Sequence, residues 1–184
     1  MEAGRAPRSG GFTLIEISVV VLIIALVLTT VTVKLDNYLP SSRTEAAARE
    51  LLSIMDLTRT SAVAYGRPYD LDLDLDGNRY RIVTPLDKDG KPARTPEDRV
   101  ANSWTDLPEG VSFGTVYRGT DQIYDGGLFV LTFNQMGTAD EVYVQLENSA
   151  GEGYTLTLRI MPLTGASEVV LDKLVPVPVT QDDF

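Results

Sequence analysis

The sequence contains neither cysteine nor histidine among its 184 residues. Without histidine there is no imidazole base, and without either residue nearly every ligand set for zinc or a transition metal is missing. The lack of cysteine also removes thiolate nucleophiles and any disulfide framework. We therefore expect a protein that is not an enzyme and that has no cofactor.

Basic residues are also scarce, with 16 lysines and arginines against 26 acidic residues and a formal net charge of -10. An acidic surface repels the phosphate backbone, so nucleic acid is an unlikely partner. The 43% of hydrophobic residues is typical of a chain that folds. The length allows one modest globular domain and one extended element.

Charged residues are almost absent from 12–33, where the chain is nearly continuously apolar. About 22 helical residues span about 33 Å, enough for a hydrocarbon core of about 30 Å. The preceding segment carries Arg5 and Arg8, as a cytoplasmic flank does. These features predict a transmembrane helix over 12–34, with a cytoplasmic amino terminus and the rest of the chain on the other side of the membrane.

Glu16 interrupts this apolar run about one turn from its start. An ionised carboxylate that faces lipid costs several kcal/mol unless it is paired or protonated. A plain signal anchor is the alternative interpretation, but a signal anchor does not require a carboxylate within its apolar segment. We therefore expect a specific partner for Glu16.

The local sequence resembles the class III signal of type IV prepilins and type II secretion pseudopilins; it reads Gly10-Gly11-Phe12-Thr13-Leu14-Ile15-Glu16. The resemblance implies a leader peptide, 1–11, that is cleaved after Gly11, and a new amino terminus at Phe12 that is N-methylated. The ammonium of Phe12 and the carboxylate of Glu16 on a neighbouring subunit would neutralise each other in the filament.

The same resemblance implies where the chain resides and what it meets. It implies a single-pass protein of the bacterial inner membrane with a periplasmic carboxy-terminal domain. The implied partners are other pseudopilins or pilins, the prepilin peptidase, the inner-membrane assembly platform and the lipid bilayer.

The helical pattern continues over 35–65 and becomes amphipathic. We expect one stripe to be buried against the globular domain; it consists of Ala47, Leu51, Ile54, Met55, Thr58, Ala62 and Tyr65. Pro40 should kink or interrupt the helix, and 42–45 reads as a capping box that restarts it. Gly66 and Pro68 are stop signals.

From residue 69 onward the hydrophobic period changes to two, which predicts strands. The first strand, 69–76, alternates apolar and acidic residues, and Gly77-Asn78 is predicted to form a two-residue turn into a strand at 79–84. This loop predicts the facing pairs Asp76 with Arg79, Leu75 with Tyr80, Asp74 with Arg81, and Leu73 with Ile82.

Asp72, Asp74 and Asp76 also match the start of an EF-hand calcium loop. Its twelfth position would be Val83 rather than glutamate, so a hairpin is the preferred interpretation and calcium the alternative. The turn 87–90 is a second, weaker acidic candidate.

The remaining chain predicts an exposed loop at 88–102 and five further strands, at 111–117, 128–133, 142–147, 154–161 and 168–171. The fold class is therefore α+β: a long N-terminal transmembrane α-helix, pilin-like, packed on a C-terminal antiparallel β-sandwich or twisted sheet. The globular β domain is expected to span 66–184.

Four segments resemble the H-type minor pseudopilins and FimT-like minor pilins, the GspH/FimT family: Arg59-x6-Gly66-Arg67-Pro68, Trp104-x2-Leu107-Pro108-x-Gly110-Val111, Phe133-Asn134-x2-Gly137 and Ile160-x-Pro162-x-Thr164-Gly165. Trp104 is expected in the core. The resemblance implies a minor pseudopilin of a type II secretion pseudopilus, which contributes to filament assembly and protein export.

Two alternatives remain: a FimT-like minor type IV pilin in pilus biogenesis or DNA uptake, and an acidic calcium-binding adhesion module. Pilins that take up DNA use basic groups near the carboxy terminus. Here that end carries Glu168, Asp182 and Asp183, and like charges repel phosphate. DNA uptake is therefore the weaker interpretation.

Overall fold

The computed structural model of the protein describes residues 13–148, 154–170 and 175–176. The chain divides into two compact units, 1–39 and 40–184. The predicted leader, Gly11 and Phe12 lie outside the described residues. Within the residues described, none of the helices combines the length and the apolar character needed to cross a membrane.

A single helix, α1, spans Leu14–Tyr65. It includes Pro40, so the predicted interruption there and the restart at 42–45 are wrong. Proline removes only one backbone donor, and the helix formers that follow it supply the remaining hydrogen bonds. The helix ends where predicted: Gly66 has a φ of 60°, and the Arg67 amide donates to the carbonyl of Ala62 at 3.1 Å, which is a Schellman cap.

Within the described residues, nine strands follow the helix: β1 Tyr69–Asp74, β2 Arg79–Val83, β3 Thr105–Asp106, β4 Val111–Arg118, β5 Gln122–Tyr124, β6 Leu128–Phe133, β7 Val142–Asn148, β8 Thr155–Ile160 and β9 Ser167–Val170. They form a four-stranded sheet in the order β3-β2-β1-β6 and a five-stranded sheet in the order β5-β4-β7-β8-β9. Their pairings are antiparallel. The predicted α+β class is confirmed.

One hydrophobic cluster joins the carboxy-terminal half of α1 to both sheets. The helix contributes a stripe of side chains that are at most 1% exposed, namely Ala47, Ala48, Leu51, Met55, Thr58 and Ala62. This confirms the predicted stripe except at Ile54, which is partly buried against the core, and at Tyr65, which is 65% exposed. Two polar contacts reinforce the packing, because Tyr80 donates to Glu50 at 2.9 Å and Tyr154 donates to Glu45 at 3.3 Å.

The β1–β2 hairpin has a different register from the predicted one. Asp74 faces Arg79 and Asp72 faces Arg81, so the loop is longer than two residues and the predicted pairs are wrong. The Asp74 carboxylate accepts the Gly77 amide at 3.0 Å and thereby holds this wider turn. The shift equals two residues, so the apolar and charged faces stay as predicted.

Three smaller features also differ from the prediction. The two short strands β3 and β5 were not predicted. The predicted loop at 88–102 contains a 3₁₀ turn at Pro96–Asp98. Trp104 is half-buried and lies outside the core cluster. Its ring is covered by the guanidinium groups of Arg81 at 4.2 Å and Arg79 at 4.8 Å, because a large aromatic ring beside two arginines gains from cation–π contact.

Candidate functional site

Glu16 lies in the first turn of α1. Its amide donates to the carbonyl of Thr13 at 3.1 Å and to the Thr13 hydroxyl at 3.3 Å, so Thr13 caps the helix. The Glu16 side chain is exposed, and no arginine or lysine of the described chain forms an ion pair with it. The carboxylate is therefore available to a partner from outside the described residues.

The side chains around Glu16 are apolar and exposed. From Leu14, which is 88% exposed, to Val27, which is 55% exposed, the large apolar residues leave about half or more of their surface uncovered. Apolar side chains occur on every face of this stretch, not in one stripe. Such a surface needs lipid or other helices around it. Glu16 is the only acidic group in it.

The calcium candidates are occupied by contacts within the protein. Asp72 pairs with Arg81 at 2.9 Å, and Asp74 pairs with Arg79 at 2.7 Å. Asp76 accepts the Gly127 amide at 3.0 Å. The Gly77 amide, more than the arginine, lowers the pKa of Asp74. Among the described residues no group of three or more acidic side chains is placed to hold a metal ion.

Arg59 is a residue that sequence reasoning did not single out as a site. Its Nε–H donates to the carbonyl of Thr164 at 2.8 Å and to the carbonyl of Gly137 at 3.2 Å, and its Nη1 lies 3.5 Å from Asp56. Three of the four family-like segments therefore meet at one guanidinium. The segment around Trp104 lies elsewhere, on Arg79 and Arg81 of β2.

Two parts of the chain match known sequence models, one of a motif and one of a protein family. Residues 7–32 match the prokaryotic N-terminal methylation motif. Residues 47–164, more than half of the chain, match type II transport protein GspH. The chain belongs to the GspH family. The predicted class, a pilin-like H-type minor pseudopilin of type II secretion, is thereby confirmed.

Two solved structures of one pseudopilin share the fold at low sequence identity. The minor pseudopilin EpsH from the type 2 secretion system of Vibrio cholerae superposes with a TM-score of 0.54 at 14% identity, over 72% of this chain and 98% of that one. A second EpsH structure gives 0.52 at 16% identity, over 76% and 99%. The type IV minor pilin FimU of Pseudomonas aeruginosa gives 0.46 at 18% identity, over 71% and 89%. No curated protein matches the sequence.

Proposed function

We propose that this GspH-family chain is an inner-membrane subunit that loses residues 1–11 after Gly11 and then enters a pseudopilus without catalysing a reaction itself. The observation that carries the proposal is the coincidence, in one chain, of a methylation motif at 7–32 and a GspH domain at 47–164. The motif supports cleavage of the leader and residence in the membrane. The GspH domain supports assembly into a pseudopilus.

The membrane anchor of this proposal is the apolar segment 12–34. Its described side chains are exposed on all faces in the single subunit, which suits lipid before assembly and neighbouring helices afterwards. The basic flank with Arg5 and Arg8 favours a cytoplasmic amino terminus. The globular unit then lies in the periplasm, where other pseudopilins and the assembly platform can reach it.

Glu16 supplies the assembly contact in this proposal. Cleavage after Gly11 creates an ammonium at Phe12, only four residues from Glu16. In a bundle of apolar helices, neither charge is stable alone, since burial removes its hydration. The pair requires the ammonium that cleavage creates, so processing and assembly are linked.

The two other functions receive less support. Glu168 on β9 pairs with Arg159 at 3.8 Å, and the sequence after Glu168 contains one basic residue against three acidic ones, which disfavours DNA uptake. The three calcium candidates are engaged with arginines or with a backbone amide, which disfavours the adhesion module. We therefore retain the proposal that the chain is a subunit of a type II secretion pseudopilus.

Processing at Gly11 is tested by intact mass spectrometry of the full chain from membranes with and without prepilin peptidase. The wild-type chain should lose residues 1–11 and gain one methyl group only when the peptidase is present. Gly11→Val should keep its leader, because the peptidase must approach the backbone where only glycine leaves space. Gly4→Ala, within the leader, is the control and should be processed normally. Cleavage of Gly11→Val before Phe12 would contradict the proposal.

A further inference from the structure

Two turns of the globular unit touch each other through their backbones. One turn, 134–138, lies in the segment 134–141 between β6 and β7, and the other, 161–166, joins β8 to β9. A Cβ built on Gly165 would lie 1.9 Å from the carbonyl oxygen of Gly137, so no side chain fits between them. The Nε–H of Arg59 donates to a carbonyl of each turn. The helix and the two turns thus form one fixed surface.

Both turns are held by their own hydrogen bonds. The Asn134 side chain accepts the amides of Met136 at 2.9 Å and Thr138 at 3.1 Å. In the second turn, the Gly165 amide donates to the carbonyl of Met161 at 2.8 Å. A surface that is ordered before binding loses less conformational entropy when a partner arrives.

The residues at the tips of these turns are apolar and exposed. Leu163 is 87% exposed and Met136 is 76% exposed, the highest values for large apolar side chains in the described part of 40–184. Val63, 49% exposed, lies on α1 beside the first turn, since its Cγ2 lies 2.8 Å from a Cβ built on Gly137. We call Val63, Met136 and Leu163 the turn-tip patch.

The side chains of the turn-tip patch are uncharged, and the charged groups nearest to the two turns are paired: Arg59 contacts both turns and Asp56, and Asp140 and Glu141 pair with Arg118 and Arg159. Neither 134–138 nor 161–166 contains an ionisable residue, although the chain has 26 acidic and 16 basic residues. Depletion of charge around exposed methionine and a rigidly held arginine is typical of the centre of a protein interface. Clustered exposed apolar side chains indicate a binding surface.

We propose that the turn-tip patch docks a different pilin-like subunit of the same filament. This inference rests on the proposed function. A minor subunit is outnumbered by other subunits, so its surfaces face them rather than its own copies. A second copy would also carry the same net charge of -10 and would repel the first. An uncharged patch is where an acidic subunit can approach another protein with least repulsion.

Photo-crosslinking of the full chain in membranes that contain the whole secretion machine tests the proposal. Because the chain has no cysteine, Met136→Cys and Leu163→Cys each provide one thiol for a benzophenone maleimide. The control is Ile123→Cys, on β5, where the native side chain is apolar and 60% exposed. We expect adducts with another pilin-like subunit, identified by mass spectrometry, at yields about fivefold or more above the control.

Adducts with a second copy, adducts with a protein that is not pilin-like, or equal yields at Ile123→Cys would each overturn the proposal. Ile17→Cys, on the apolar part of α1, separates this failure from failure of the proposed function. If Ile17→Cys crosslinks to pilin-like subunits and the turn-tip thiols do not, only the docking surface is wrong. If none of them does, the proposed function fails as well.

A double variant gives an independent readout. Met136→Ser with Leu163→Ser should keep the unfolding midpoint of the wild type, because both side chains are exposed, but should lower filament incorporation about tenfold. Ile123→Ser is the matched control and should stay within about twofold of the wild type. Wild-type incorporation of the double variant would overturn the proposal.

Discussion

Gly165 lies where the turn 161–166 meets the turn 134–138, and it has both a positive φ of 59° and no space for a side chain. Gly119 has nearly the same φ, 62°, but open space around it. A comparison of alanine substitutions at the two glycines therefore distinguishes the cost of backbone strain from the cost of steric overlap.

We expect Gly119→Ala to cost about 1–2 kcal/mol, the usual cost of a left-handed alanine. Gly165→Ala should cost about 3–5 kcal/mol, since the added methyl overlaps a carbonyl oxygen and the two turns must separate. Urea unfolding of the fragment 40–184 would measure both free energies. Equal costs for the two variants would show that the turns do not touch as described.

Single residues differ in how much of their role the sequence reveals. Glu16 could be identified because one carboxylate in an apolar run is a local anomaly. Arg59 could not, because its two carbonyl partners are 78 and 105 residues away along the chain. No local pattern reports such contacts, although Arg59, Gly137 and Thr164 were each part of a family-like segment.

In the β1–β2 hairpin, local sequence predicted the faces of the strand but not the register of the pairing. The period of two predicted which residues of β1 face the core, and Leu71 and Leu73 are fully buried. It did not predict the register, because a shift of two residues leaves each face unchanged. The register depends on the Asp74 contact with the Gly77 amide and on Asn78, whose side chain accepts the Phe113 amide at 2.8 Å.

A double-mutant cycle distinguishes the two registers. Asp72 and Arg81 are 2.9 Å apart with side chains 8% and 29% exposed, so Asp72→Asn with Arg81→Gln should show a coupling of about 1–2 kcal/mol. The control cycle pairs Asp74→Asn with Arg81→Gln, the pair of the two-residue turn, and should show a coupling near zero. Unfolding free energies measure both cycles. The reverse order of couplings would favour the two-residue turn.

Short elements and the path of the helix were less predictable. The strands β3 and β5 contain two and three residues, too few to show a period. Pro40 is a local breaking signal, yet it lies within α1, because the helix that follows buries a stripe against both sheets and this packing outweighs one lost donor.

For the whole molecule, the α+β class followed from the change of hydrophobic period at residue 69, but the order of the strands did not. The strand β6 pairs with β1 rather than with its sequence neighbour β5, and such pairings depend on which apolar faces meet in the core. The hydrophobic cluster that joins the helix to both sheets therefore depends on contacts between residues that are far apart in the sequence.

The absence of histidine and cysteine gives the folded unit a distinctive pH dependence. Between about pH 6 and 9 no side chain titrates at its ordinary pKa, so stability should be nearly constant. Burial, together with the Glu50 carboxylate, raises the pKa of Tyr80 far above its ordinary 10.0. Its stabilising effect is complete below pH 10 and is lost as the pH rises towards the folded-state pKa.

We therefore expect the unfolding free energy of the fragment 40–184 to fall above about pH 10. Tyr80→Phe should weaken this alkaline loss, since phenylalanine cannot ionise, although Tyr69, Tyr143 and Tyr154 also have raised pKa values and retain part of it. Thermal unfolding at pH 8 and at higher pH gives the comparison. An identical alkaline loss in Tyr80→Phe would contradict this assignment.

The central claim is that a processed subunit enters the filament through the carboxylate of Glu16, and crosslinking of the full chain to other pilin-like subunits measures it most directly. Glu16→Ala should be inserted and processed but should lose incorporation by about two orders of magnitude, because an unpaired buried charge costs about 3–5 kcal/mol. Glu16→Gln should restore little, since it keeps the shape but not the charge. Ser18→Ala, which removes an exposed hydroxyl that donates to the carbonyl of Leu14, is the control and should assemble normally. Wild-type crosslinking of a processed Glu16→Ala chain would contradict the account.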